Sequence, residues 1–285
     1  MKSEKPWLMP FGRSFVANDL VMKSWADIEP YFKNLAEREI STMKELDAWL
    51  MDWSEVSAVA EEFATVRYVE MTCHTDDEAR KNAYLECVRE VEPRMIEWEN
   101  RLDKKYYASP LRHGLGAMKY GQFDRRKKTG IELFSEKNIP LEVKLRELSQ
   151  NYQEVMGAMM VNFDGKERTM PQMSLMMREQ DRGLRERAHR AMAQRRLAEK
   201  EKLDDIFDEM LTVRAEFAAN LGLDSYRDYC FRVKLRDYTP DDCLEFHDSI
   251  LKTAVPLSRK LAQRRMKSLG LDSLKPWDTE CDEKG

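Results

Sequence analysis

Histidine is the side chain best suited to hold zinc or to move protons near neutrality, and the sequence has four: His74, His113, His189 and His247. A hydrolytic zinc site on a helix needs H-E-x-x-H, two imidazoles one turn apart with the glutamate as base for metal-bound water. Here His74 precedes Thr75, His113 precedes Gly114, His189 precedes Arg190 and His247 precedes Asp248. None has a second histidine four residues on, so the motif is absent. A di-iron carboxylate bundle needs two Glu-x-x-His motifs and two further helical glutamates. Glu186-Arg187-Ala188-His189 supplies one and no second exists. In a chain so rich in glutamate, a charged helix face is the simpler reading.

Cysteine offers little more. Cys243 and His247 stand one helical turn apart and make half a ligand set, but both fall on an apolar face. Cysteine in that setting is commonly buried and inert, so core packing is favoured. Cys73-His74 sets a thiol beside an imidazole, yet neighbours on a helix point apart. The five cysteines Cys73, Cys87, Cys230, Cys243 and Cys281 are odd in number and scattered, with no C-x-x-C. That excludes a disulfide framework and points to the reducing cytoplasm. Neither G-x-G-x-x-G, G-x-x-x-x-G-K-[ST] nor G-x-S-x-G occurs, so phosphate cradles and nucleophile elbows lack support. No catalytic, cofactor-binding or metal-ligating residue is assigned. The methionines at 156, 159, 160, 170, 173, 176 and 177 read as gap-filling core in preference to an adaptable binding surface.

The elements around these residues follow from composition and periodicity. Of 285 residues, 42% are apolar and 35% charged, with 11 glycines and 10 prolines, a balance that suits long helices with charged outer faces. The net charge of −4 gives no surplus of cations to displace counterions from phosphate, so no nucleic-acid partner is expected. Met1-Lys2-Ser3-Glu4-Lys5-Pro6 develops no signal-peptide core, and the longest apolar run, Val155 to Val161, is too short to cross a bilayer. No membrane partner is expected.

Pro6, Pro10 and Gly12 suggest an extended arm over residues 1–23. From Trp25 to about Asp103 the pattern is helical, with Leu46, Trp49, Leu50, Trp53, Val56, Ala60 and Phe63 at three- and four-residue steps. Asp52 or Ser54 is expected to cap a fresh helix, and Asp76 or Asp77 another through Cys87 and Val91, with Pro93 kinking or interrupting it. Residues 104–140 carry four glycines and two prolines and read as less regular. Leu141, Leu145, Leu148, Tyr152 and Val155 form one stripe of a helix. Asp164-Gly165, between Met159–Phe163 and Arg168–Met170, predicts a short hairpin, because glycine accepts positive φ.

Helix resumes from about Gln172, with Leu203, Ile206, Phe207, Met210, Val213 and Phe217 on one face and a stop at Gly222. Asp224 is expected to cap a short helix. Thr239-Pro240-Asp241-Asp242 starts the last long helix, whose buried face would be Cys243, His247, Ile250, Leu251, Ala254, Leu257 and Leu261, bent at Pro256. Leu-Gly-Leu-Asp-Ser occurs twice, at 221–225 and 269–273, as a shared stop-and-restart after a long helix. Beyond Trp277-Asp278 the acidic ending is expected to pack against nothing.

Three strings carry a resemblance. Val161-Asn162-Phe163-Asp164-Gly165-Lys166-Glu167, then Thr169, then Arg178-Glu179-Gln180-Asp181-Arg182 with Arg185 and Ala188, resembles the N-terminal region of oligoendopeptidase F. Val213 to Gly222, followed by Ser225-Tyr226-Arg227-Asp228-Tyr229, is similar to the segment entering that family's peptidase domain. Leu274-Lys275-Pro276-Trp277-Asp278 resembles the linker that comes next. The order agrees across roughly residues 140–280.

The resemblance implies a thimet-type zinc peptidase: an elongated, mostly helical enzyme around a deep channel, cutting short peptides with zinc-bound water and a glutamate base. The fold class implied is all-α with one hairpin near 159–170, the helical wall of a channel-type peptidase. Residues 1–23 would be an arm, 24–200 the N-terminal helical domain, and 201–285 the beginning of a peptidase domain truncated before the zinc motif. Zinc belongs to the complete family enzyme, and this chain is expected to bind none and to be inactive without a C-terminal catalytic half. The alternatives are a non-catalytic helical scaffold or peptide-binding module, or a subunit that complements a separate catalytic half.

Overall fold

The computed structural model describes residues 13–281. Among them are eleven α-helices and one two-stranded antiparallel hairpin, the all-α class with a single short hairpin expected from the sequence. Residues 1–12 of the anticipated arm lie outside the described residues. The chain divides into two compact units, Met1–Ser149 with Thr212–Leu235, and Gln150–Leu211 with Arg236–Gly285.

The first unit is built on α1 (Trp25–Glu37) and α2 (Met43–Cys73). Thr42 Oγ1 accepts from the Glu45 amide at 3.2 Å while Glu45 Oε2 accepts from the Thr42 amide at 2.9 Å, closing a capping box. The helix then runs for 31 residues without a restart at Asp52 or Ser54. Trp49, Trp53, Val56 and Ala60 keep one buried face through that point, so packing carries it past both cap-prone residues. Against them lie Trp25, Ile28, Phe32 and Leu35 of α1. The indole of Trp49 donates to Leu35 O at 2.9 Å, which satisfies its one polar atom inside the core. Truncating a ring of this kind to alanine costs about 3–5 kcal/mol.

Two polar anchors finish this core. Glu55 accepts from the backbone amides of Ser14 (2.9 Å), Phe15 (3.0 Å) and Val16 (2.6 Å), so one carboxylate pins the irregular segment before α1. Lys105 Nζ donates to Leu35 O at 3.0 Å, Ala36 O at 2.8 Å and Arg38 O, neutralising the carbonyls left open at the end of α1.

Asp77 caps α3 (Glu78–Glu86) through the amides of Ala79 and Arg80. Pro93 falls in the first turn of α4 (Glu92–Ala108), where its missing N–H matters little. A π-turn at Cys87–Val91 precedes it, with the Glu92 amide reaching Cys87 O. Residues 104–140 are more regular than their glycines suggest: Ala117–Glu132 forms α5. A Cβ at Gly130 would stand 3.1 Å from Asp103 Oδ2, so the bare glycine lets α5 approach α4.

The unit is completed by parts of α6 (Ile139–Gly157) and α9 (Lys200–Ala219), and by α10 (Tyr226–Val233). On α6, Leu148 is buried but Tyr152 is 47% exposed, and on α9 Phe217 is buried but Phe207 is 53% exposed. Ser225, not Asp224, caps α10, its hydroxyl accepting from the Asp228 amide at 3.2 Å.

In the second unit, β1 (Met160–Phe163) pairs with β2 (Lys166–Thr169) in the register Met160↔Thr169 to Phe163↔Lys166. Asp164 (φ 49°) and Gly165 (φ 75°) make the two-residue turn. Thr169 and Gln172 form a capping box for α7 (Met170–Leu175), and Asp181 caps α8 (Arg182–Leu197). Of the methionines read from the sequence as gap-filling core, Met159, Met170, Met173 and Met177 are buried and Met156, Met160 and Met176 are half-buried.

The last helix, α11 (Pro240–Ser268), starts at Thr239 as expected but has no buried residue. Its intended core face is open: Ile250, Leu251, Leu257 and Leu261 are 40–59% exposed. Cys243 is half-buried and His247 exposed. Amphipathic periodicity identifies a face that wants a partner, and here the described residues supply none. The twin pentapeptides do match in structure. Leu223 N donates to Ala218 O at 3.1 Å and Leu271 N to Met266 O at 3.0 Å, with Gly222 and Gly270 both near φ 65°.

Candidate functional site

Each histidine sits in a different setting. His74 ends α2, His113 lies in the 3₁₀ turn Pro110–Gly114, His247 is exposed on α11, and His189 faces the indole of Trp277 at 5.5 Å. Glu186, the other half of the Glu-x-x-His string, is held by Arg190 at 2.7 Å on a charged helix face. No group of three or more His, Cys, Asp or Glu among the described residues is arranged to hold a metal ion. The described residues therefore do not fit a zinc site, and no reaction step is derived through one. Cys87 is buried and its thiol is pushed up to about 12, chiefly by desolvation, which makes it inert.

The structure does bring two of the three resembling strings together. Trp277 and Asp278, in a 3₁₀ turn at Pro276–Asp278, pack on α8 in the second unit. Beyond them Cys281 is buried, which corrects the expectation that the ending packs against nothing as far as residue 281, and residues 282–285 lie outside the described residues. Asp278 is fully buried and accepts from Arg182 Nε (3.0 Å) and Nη2 (2.9 Å), from Arg185 Nη2 (3.0 Å) and from the Lys275 amide (2.9 Å). Arg185 spends its other donors on Trp277 O (2.8 Å), Glu179 O (2.8 Å) and Gln180 O (2.9 Å).

Hydrogen bonds from Arg182 lead in holding the Asp278 carboxyl down at about 2, against the opposing effect of burial. Such a carboxylate stays ionised and cannot shuttle protons at neutrality, so the cluster positions and does not catalyse. Sequence reasoning took the matching strings as markers and missed their contact. The available signal was a lone Trp-Asp in a polar ending, and an arginine, Arg185, among apolar helix positions.

The remaining string, Val213 to Tyr229, works inside the first unit. Asn220 donates to Asn138 Oδ1 at 2.9 Å, and Asn138 donates to Phe217 O at 3.1 Å, tying the end of α9 to the turn before α6. Phe217, Tyr226 and Tyr229 cluster edge-to-face and tilted, with ring centres 4.7–5.7 Å apart. Burial leads in raising the Tyr229 and Tyr226 hydroxyls above their ordinary range and in raising the nearby Glu142 carboxyl.

The model for the Peptidase M3 N-terminal domain matches residues 19–134, and that for Peptidase family M3 matches residues 175–284. The chain belongs to peptidase family M3.

Solved structures agree on the fold of this M3 chain. A protein assigned as oligoendopeptidase F from Bacillus anthracis strain Ames is similar over 94% of the chain and 50% of its own length, with 20% identity and a TM-score of 0.84. PZ peptidase A in complex with an inhibitor is similar over 91% of the chain and 47% of its own, with 23% identity and a TM-score of 0.84. Oligoendopeptidase F from Enterococcus faecium gives 10% identity, 91% and 55% coverage and a TM-score of 0.66. The M3 chain thus spans about half the length of the structures it matches. No curated protein matches its sequence significantly. No described helix is long and apolar enough to cross a membrane.

Proposed function

We propose that this chain is the N-terminal portion of a zinc-dependent oligoendopeptidase that hydrolyses short peptides. The observation that carries the reading is the match of residues 175–284 to the peptidase model of family M3, beside a span of about half the similar structures. The zinc ligands and the general base belong to a C-terminal catalytic half, and the present residues shape and support one wall of the peptide channel. Alone, the chain binds no zinc and cleaves nothing. Its five free cysteines favour the cytoplasm as its compartment.

The test is a fluorogenic-peptide assay of the purified chain, with metal content measured on the same sample. No turnover and no bound zinc are expected. Turnover that a chelator abolishes would overturn the reading. The intact mass of the protein in its source cells separates a catalytic half carried on the same polypeptide from one supplied as a separate subunit. A mass well above 33.7 kDa supports the former.

A further inference from the structure

Where α2, α4 and α5 meet in the first unit, two carboxylates share one ammonium. Lys127 on α5 reaches across to α4, its Nζ 2.8 Å from Asp103 Oδ1 and 3.6 Å from Glu99 Oε2. The same ammonium lies 3.8 Å from the centre of the Trp53 ring on α2 and 5.3 Å from that of Phe123. Water has little access: the side chains of Asp103, Lys127 and Glu99 are 12%, 15% and 27% exposed. All members of the cluster belong to the first unit.

The charges do not balance. With both carboxylates ionised the cluster holds a net charge of −1 where desolvation is costly, and with one proton it is neutral. Glu99 has both oxygens taken, Oε2 by Trp53 Nε1 at 3.0 Å and Oε1 by Ser57 Oγ at 2.5 Å. The proton therefore falls to Asp103. Burial leads in raising that carboxyl to about 6, against the pull of Lys127 and with a small push from Glu99. Elsewhere on α5, Asp124 has Arg112 as its counter-ion at 2.9 Å and the Tyr106 hydroxyl as a donor at 3.2 Å, so no surplus charge is enclosed there.

Helix α5 is what closes over the acid. Asp103 Oδ2 stands 3.1 Å from where a Cβ on Gly130 would be, so the last turn of α5 covers it. No side chain of α5 is itself fully buried. Its docking draws on half-buried contacts, such as Phe123 against Trp53 and Tyr106 with ring centres 6.0 and 5.3 Å apart, and on this cluster.

We propose that Asp103, Lys127 and Glu99 form a proton-operated latch, which holds α5 on α4 while Asp103 carries a proton and lets α5 open locally when the proton leaves. The docked carboxyl binds its proton more tightly than the undocked one. Docking is thus strongest below pH 3.8 and weakens as pH rises through about 6. The latch is independent of the peptidase reading.

Hydrogen–deuterium exchange of the 285-residue chain tests it, read on peptides from α5 and α2 in the same sample and corrected for intrinsic rates. Between about pH 4.5 and 7 the opening constant of α5 should rise roughly twentyfold, levelling off above about pH 6.5, while α2 stays protected. D103N should abolish the rise. K127M should carry it to higher pH, because the carboxyl then lacks its counter-ion. A flat wild-type profile overturns the proposal, as does a rise that survives in D103N or a K127M profile that does not move. So does α2 exchanging in step with α5, which would make the effect one of global stability.

Discussion

Arg185 and Asp278 form an ion pair, Nη2 to Oδ1 at 3.0 Å, in which the arginine side chain is 3% exposed and the aspartate fully buried. The pair persists in the interior because both groups are fully provided for. Arg185 donates to three backbone carbonyls, and Asp278 accepts from a second arginine and an amide. Removing one partner leaves the other charged, buried and uncompensated.

Asp278→Asn is accordingly expected to destabilise the second unit by about 3–5 kcal/mol. Arg185→Lys keeps the charge but cannot reach the carboxylate and three carbonyls at once, so it should cost nearly as much. Urea unfolding of both variants measures this. A loss below the error of the measurement for both would remove the cluster's structural role.

Asp103 on α4 gives a pH dependence of defined sign. Burial raises its carboxyl to about 6 from 3.8, despite the Lys127 ammonium 2.8 Å away. The folded state therefore holds a proton that the unfolded chain has already released. Its contribution is fully favourable below pH 3.8 and is lost as pH rises through about 6. The loss amounts to roughly 3 kcal/mol. Asp103→Asn should flatten that decline, seen as a difference in the stability slopes of the two proteins between mildly acidic and neutral pH.

Gly165 at φ 75° is strained for any residue with a Cβ, although nothing lies within 4 Å of where that atom would be. Gly165→Ala should cost about 1 kcal/mol, a conformational penalty without a clash. Asp164→Asn, at φ 49°, should be close to neutral. A thermal melt of each variant distinguishes the two effects.

Thiol labelling under native conditions should be graded. Cys73 is exposed, Cys230 and Cys243 are intermediate, and Cys87 and Cys281 are buried. With an alkylating reagent followed by peptide mass spectrometry, Cys73 should react first. Cys87 should react only on unfolding, since it is both shielded and held as the thiol. Early labelling of Cys87 would contradict the packing at the π-turn.

Local chemistry was the most readable part of the fold. Asp77, Thr239, Gly222 and the Asp164-Gly165 turn act through their own backbone neighbourhood, so a few residues suffice to place them. Asp52 and Ser54 misled because a cap is optional wherever packing holds the helix, as Trp49, Trp53 and Val56 do. The glycines of α5 misled for the reverse reason. Gly130 is bare because α4 lies close, a tertiary cause no local pattern reveals. The open face of α11 shows what periodicity measures, the presence of an apolar stripe and not its occupant. The Asp278 cluster depended on two strings meeting across a long loop in sequence, where only the resemblance hinted that both mattered.

The distance along the chain between Arg185 and Asp278 has a consequence for synthesis. The aspartate follows the arginine by 93 residues, and the second unit is interrupted in sequence by Thr212–Leu235. At ordinary ribosomal rates the guanidinium is translated roughly 5–20 s before its carboxylate exists. Over that interval α8 carries a cation whose burial nothing can yet compensate, so the unit completes itself late. Closure of this unit during synthesis therefore waits on the last residues of the 93-residue interval, however early its helices are made.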